Sequence, residues 1–123
     1  MATADKDFKI KNGLVVQGAT ATVNGYNVLT ENSVQVSSNI TLSNNNRYFV
    51  DTSSIRTLTL PASPEISDQI QIIDSLGTSS QYNITVARNS KKINGQTNNL
   101  IIDTNGGWYT LLYTGSTYGW KVG

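Results

Sequence analysis

Apolar and polar residues alternate in short runs along nearly the whole chain. After a polar opening, residues 1–7, the segment from Phe8 reads FKIK, LVV, ATATV and YNVL, separated by Asn12-Gly13, Gln17-Gly18 and Asn24-Gly25. Asn-Gly accepts positive φ at both central positions of a tight turn and is a strong hairpin signal. Runs this short do not make a stable free-standing sheet. Phe8, Ile10, Leu14, Val15, Val16, Val23, Tyr26 and Val28 are therefore expected to pack on the same segment of other copies, as in interwoven trimers. This defines an N-terminal assembly and docking arm, residues 1–32. The alternative is a small meander lying on the main domain.

From Ser33 onward the period of two continues. Val34 and Val36 alternate with Gln35 and Ser37; Ile40 and Leu42 follow, then the loop Asn44-Asn45-Asn46 and the strand Arg47 to Asp51. In IRTLTLPASP, Ile55 is out of phase, Leu58 and Leu60 are in phase, and Pro61 and Pro64 end the strand because proline cannot donate to a ladder. DQIQIID, YNITVARN, NNLIIDT, WYTLLY and YGWKV complete the set, with turns at Gly77, Asn94-Gly95 and Asn105-Gly106-Gly107. Only Glu65 to Ser67 suggests a helical turn. The expected fold is all-β: the arm, then a jelly-roll-like β-sandwich over residues 33–123 with about eight to ten strands. SSNITLSNN (37–45) and QYNITVARN (81–89) echo each other, either as matching strands in two halves of the sandwich or by chance.

Composition sharpens this picture. Asn, Ser and Thr make up roughly a third of the 123 residues, and charged residues only 14%, well below the usual quarter. That implies an uncharged polar surface, with part of the apolar packing between chains. The net charge of +1 lacks the dense basic field that releases counterions from nucleic acid, so none is expected as a partner. There is no cysteine and no histidine, which removes disulfides, thiolate metal sites and the commonest general base. MATADKDFKI holds no hydrophobic signal core and no long apolar run follows; the expectation is assembly in the cytoplasm without membrane insertion.

Little in the chain points to chemistry. The acids Asp5, Asp7, Glu31, Asp51, Glu65, Asp68, Asp74 and Asp103 fall mostly at turns and strand ends, where capping explains them better than a catalytic pair. No enzyme activity and no cofactor are expected. Asp103-Thr104-Asn105-Gly106 opens like a calcium loop, but Trp108 to Tyr113 supplies none of the later ligands. Asn39-Ile40-Thr41 and Asn83-Ile84-Thr85 are formal glycosylation acceptors, read here as strand residues. Arg88, Lys91 and Lys92 are the one basic cluster of the domain, either a contact for an acidic partner or glycan or a solvated turn.

The aromatics concentrate in GWYTLLYTGSTYGWKV, residues 107–122. In WYTLLY, Trp108, Thr110 and Leu112 share one side and Tyr109, Leu111 and Tyr113 the other, so both faces are expected to be covered. Trp120 is expected in the core or a subunit interface. Tyr82, Tyr109 and Tyr113 remain as candidate surface contacts.

DFKIKNGLVVQGATATVNGYNVLTENS resembles the N-terminal segment of fibre-like virion proteins of tailed phages, particularly those of marine cyanobacteria. RYFVDTS, LTLPASP, DQIQIID, ITVARNSKKINGQ and YTLLYTGSTYGWKV are similar to a β-domain of such structural proteins. The resemblance implies a homotrimeric virion component docked on capsid, neck or tail by its N-terminal part. The chain lacks long shaft repeats and an obvious tip domain, which favours a short decoration over a long receptor-binding fibre. A host-surface glycan-binding adhesin is the alternative.

Overall fold

The computed structural model describes Thr22–Val23, Tyr26–Asn27 and residues 32–123. All regular structure among the described residues is strand. The chain divides into two units, Met1–Thr30 and Glu31–Gly123. In the first, β1 (Thr22–Val23) pairs antiparallel with β2 (Tyr26–Asn27), placing Val23 opposite Tyr26, the hairpin that Asn24-Gly25 signals. Phe8, Ile10, Leu14, Val15, Val16 and Val28 of the expected arm lie outside the described residues.

The second unit contains β3 (Asn32–Val36), β4 (Ile40–Thr41), β5 (Asn46–Val50), β6 (Arg56–Thr59), β7 (Gln69–Asp74), β8 (Ile84–Ala87), β9 (Leu100–Ile102), β10 (Trp108–Tyr113) and β11 (Trp120–Val122). They form a five-stranded sheet, β11-β10-β7-β5-β3, and a four-stranded sheet, β4-β6-β8-β9. From β3 to β8 the chain alternates between the sheets, and each strand lies parallel to the strand two before it. This winding path differs from the antiparallel connectivity of the expected jelly roll. Antiparallel pairing begins only with β9, β10 and β11. The physical reason is simple: a period of two reports which face is buried, not the direction of the neighbouring strand. The crossover that a parallel pair requires, usually a helix, is here a strand of the other sheet.

Both sheets contribute to one buried cluster. Val36, Tyr48, Val50, Ile70, Ile72, Leu111, Tyr113 and Trp120 come from the five-stranded sheet, and Leu58, Ile84, Val86 and Ile102 from the other. Leu42 and Leu60 extend β4 and β6 into the same core. Ile55 stays exposed, as its phase predicts. The Trp120 indole is fully buried and meets the Tyr113 ring edge-on, with centroids 5.2 Å apart.

Turn chemistry follows the sequence closely. Asn94 and Gly95 both have positive φ, 50° and 74°, closing a turn between Ile93 and Gln96. Glu65 to Asp68 forms a turn rather than a helix, with Ser67 at φ 81°. Gly119 is the glycine that admits no substitute: its φ is 81°, and an added Cβ would run into the Lys92 carbonyl. That close approach lets Lys92 to Asn94 lie along the free edge of β11, with Trp120 N donating to Lys92 O at 2.8 Å and Asn94 N to Trp120 O at 2.7 Å. The echo between 37–45 and 81–89 falls on β4 and β8 of one sheet, flanking β6. Ile40 and Val86 share the partner Leu58, so the echo is out of register by two residues and does not relate two halves.

Candidate functional site

Two polar constellations stand out, one buried and one exposed. The buried one is centred on Asp74, the last residue of β7, with Thr52 and Ser79 the only other buried polar residues described. Asp74 Oδ1 accepts from Thr52 Oγ1 at 2.7 Å and from Gly77 N at 3.0 Å. Oδ2 accepts from Ser79 N at 3.0 Å and Gly106 N at 2.9 Å. Thr78 extends the network by bonding Thr52 O, and Ser79 Oγ donates to Thr104 O. Burial alone would push the Asp74 carboxyl up, but the donors from Thr52, Gly106 and Ser79 outweigh it and hold the group well below the usual carboxylate range. All its lone pairs face donors of the protein, so the group is a knot joining three loops rather than an acid or base.

The exposed constellation is the outer face of the five-stranded sheet. Register places Gln35, Phe49, Ile73 and Trp108 in one row across β3, β5, β7 and β10. The adjacent row is Ser33, Arg47, Gln71 and Thr110. Trp108 is 60% exposed and Leu112 38%, although the alternation of WYTLLY predicts that both faces of β10 are covered. The inward parity carries Leu111 and Tyr113 into the core; the outward parity is bare. Arg47 Nε donates to Gln71 Oε1 at 2.7 Å, and its guanidinium carbon sits 5.9 Å from the Trp108 ring centroid. On the other side of the Phe49 row a groove of about 300 Å³ is lined by Gln35, Phe49, Asp51, Ser75 and Leu76, among others. Asp51 is held below the ordinary carboxylate value by the hydroxyl and N–H of Ser53, with Arg56 adding to the effect from 3.8 Å.

The other candidate contacts are scattered. Tyr113 is 6% exposed and belongs to the core, which removes it as a surface contact. Tyr109 is half-buried and packs its ring over Gly107. Tyr82 is half-buried, its hydroxyl 3.3 Å from Gln81 Nε2. Arg88, Lys91 and Lys92 form a tight turn in which Arg88 Nη1 bonds Lys91 O at 3.1 Å and Asn89 and Ser90 have positive φ. No distance joins this turn to the tyrosines. The 104–107 loop holds its own shape: Gly107 N bonds Thr104 O, and Asn105 Oδ1 accepts from Ser80 N. Asn39 Oδ1 accepts from Thr57 N, beside β4.

Comparison with known proteins adds no family: no protein-family model matches the chain, and no curated protein matches it significantly. Sequence reasoning missed Arg47, Phe49 and Trp108. The signal lay in the parity of β10, where a tryptophan shares its side with Thr110, beside a strand whose outward positions are Arg and Phe.

Proposed function

We propose that this chain is a non-enzymatic virion structural protein of a tailed phage. It acts as a short homotrimeric fibre or a capsid or neck decoration. In this reading residues 8–29 dock and trimerise, and residues 33–123 form the exposed β-sandwich domain. The observation that carries it is the asymmetry of the sheet edges. Among the described residues the β11 edge is covered by Lys92 to Asn94, whereas β3 pairs only with β5, β4 only with β6 and β9 only with β8. β3 follows the arm directly in sequence, and β4 follows β3. Uncovered edges invite pairing with further chain, which suits a protein built to assemble. The resemblance of the arm, and of RYFVDTS, LTLPASP, DQIQIID, ITVARNSKKINGQ and YTLLYTGSTYGWKV, to fibre-like virion proteins supports the same reading, as does the commitment of the most perturbed carboxylate, Asp74, to the fold.

Deletion of residues 1–30 tests it. The truncated chain is expected to remain folded, to lose the trimer mass in light scattering, and to be absent from particles. Incorporation at the wild-type level would overturn the reading. Glycan recognition through Tyr82, Tyr109 and Tyr113 is less well supported, because Tyr113 lies in the core.

A further inference from the structure

The outer face of the five-stranded sheet is chemically striped. Its middle stripe is apolar: Phe49, Ile73 and Trp108, set side by side by strand register. One flank carries Arg47, Gln71 and Thr110; the other carries Asp51 and Ser75 beside the groove. Strands lie about 4.8 Å apart, so the two aromatic rings, separated by β7, stand about 10 Å from one another along the row. We propose that this stripe binds an uncharged polysaccharide lying across the strands, with sugar rings on Trp108 and Phe49 and their hydroxyls on the two polar flanks.

A pyranose chain has the complementary pattern. Its C–H faces are apolar, its edges are hydroxyls, and aromatic rings flanked by planar hydrogen-bonding groups satisfy both at once. The charge on the face argues for a neutral ligand. Its one cation on the flank, Arg47, lies beside the amide of Gln71 and the indole. Its one anion, Asp51, is matched by Arg56 and Ser53. Lys121, farther along the sheet, sits 5.9 Å from the Tyr118 ring centroid. Arg47 and Lys121 keep their charge, with no acid paired to either among the described residues, but two separated cations are too sparse a field to recruit an acidic glycan, so stacking and hydroxyl contacts dominate. The guanidinium also has a defined role, since Arg47 steadies one side of an indole that is otherwise exposed. The Nη groups make no hydrogen bond among the described residues, which leaves them for ligand hydroxyls.

A second copy of the chain fits this face less well. Strand number and length give the face a footprint of roughly 350 Å², whereas a stable interface buries about 800 Å² on each partner around an apolar centre. Here the apolar part is a single residue wide. The inference stands apart from the assembly reading, which places oligomer contacts in residues 8–29, so either can fail alone.

The test uses the purified full chain in native affinity electrophoresis against hydroxyethylcellulose, galactomannan and dextran, with polygalacturonate as the anionic control. The expected result is retardation by at least one neutral polymer and none by polygalacturonate. A change in tryptophan fluorescence should accompany it; Trp120 is buried, so the response reports on Trp108. Trp108→Ala and Phe49→Ala should each weaken retention at least tenfold, and Arg47→Gln several-fold, while Tyr82→Phe binds as wild type. Melting curves confirm which variants are folded, and two aromatic positions keep the test decisive if one variant unfolds. Absence of retardation by all three neutral polymers overturns the proposal, as does undiminished binding by folded Trp108→Ala. Retention by polygalacturonate alone refutes the neutral ligand. If folded Trp108→Ala lowers the oligomer mass in light scattering and leaves polysaccharide retention unchanged, the face belongs to a second copy and the proposal fails.

Discussion

Replacing Asp74 with asparagine isolates what one buried carboxylate does for three loops. The wild-type group is 4% exposed and accepts four hydrogen bonds, two on each oxygen. Asparagine keeps one acceptor oxygen and substitutes an NH₂ donor for the other. If the amide oxygen faces Thr52 and Gly77, the N–H groups of Ser79 and Gly106 confront another donor. In the opposite orientation Gly77 N–H is orphaned, while the Thr52 hydroxyl turns toward Thr78, 2.6 Å away. The second orientation is cheaper and still leaves one half-buried donor unpaired, at about 1–3 kcal/mol. It also strips charge assistance from the two bonds that remain. The expected loss is about 2–4 kcal/mol, or a fall in Tm of about 10–25 °C for a unit of this size. The pH dependence gives a sharper check. The folded carboxyl lies below its unfolded value, so its contribution is complete above a pH of about 4 and fades as pH falls toward the folded value. Urea denaturation of both proteins at pH 7, 5 and 3 should show equal gaps at the first two and a narrower gap at the third. Other carboxylates act alike in both proteins and cancel. A loss under about 1 kcal/mol at pH 7, or a gap as wide at pH 3 as at pH 7, would refute the reasoning.

Five further substitutions, at four positions, probe the core and its turns. Trp120→Ala should cost about 3–5 kcal/mol in urea denaturation. Trp120→Phe should cost about half as much or less, because the deleted Nε1 has no hydrogen-bond partner; equal losses would show that the donor matters after all. Gly119→Ala should lower stability by at least about 2 kcal/mol, whereas Gly77→Ala, at φ 72° but with open space around it, should cost about 1 kcal/mol. Similar melting temperatures for the two variants would dismiss the clash with Lys92. Tyr48→Phe removes the acceptor of Ser43 N, at 2.7 Å, and of Asn46 Nδ2, at 2.9 Å. A loss of about 1–2 kcal/mol and faster exchange of the Ser43 amide are expected; unchanged exchange would contradict this.

Strand positions were legible wherever one face is buried and the other wet. Ile70 and Ile72 in β7, Leu58 in β6 and Ile84 and Val86 in β8 are all buried on the parity that the alternation gives, because solvent imposes that contrast directly. The order of the strands was not legible. Parallel and antiparallel neighbours bury the same residues, and the connections of this chain carry the same Asn, Gly and Ser whether they reverse the strand or pass it to the other sheet. Asp74 was legible as a capping residue at a strand end, and Gly77 and Ser79 are such local partners, but its burial was not, because Thr52 and Gly106 are far away in sequence and are brought to it only by the fold. Trp108 was misjudged for a different reason. Alternation in WYTLLY shows two apolar sides, and composition cannot tell a buried side from one left bare.

The winding path also explains how a small polar chain acquires a patterned surface. In-register neighbours place outward residues of β5, β7 and β10 in straight rows, so one Phe, one Ile and one Trp far apart in sequence become a continuous stripe. Inward residues of the same strands, Tyr48, Ile72 and Leu111, are core and fix the spacing of those rows. Trp108, exposed on the outward side of β10, owes the fold little, whereas Arg47, Phe49 and Ile73 are half-buried. In β10, stability and surface chemistry are therefore written on opposite parities of the same strand. A substitution at Trp108 should alter what the face holds while leaving the melting curve almost in place, and one at Leu111 or Trp120 should do the reverse. That separation is what makes the sheet face open to test without dismantling the protein.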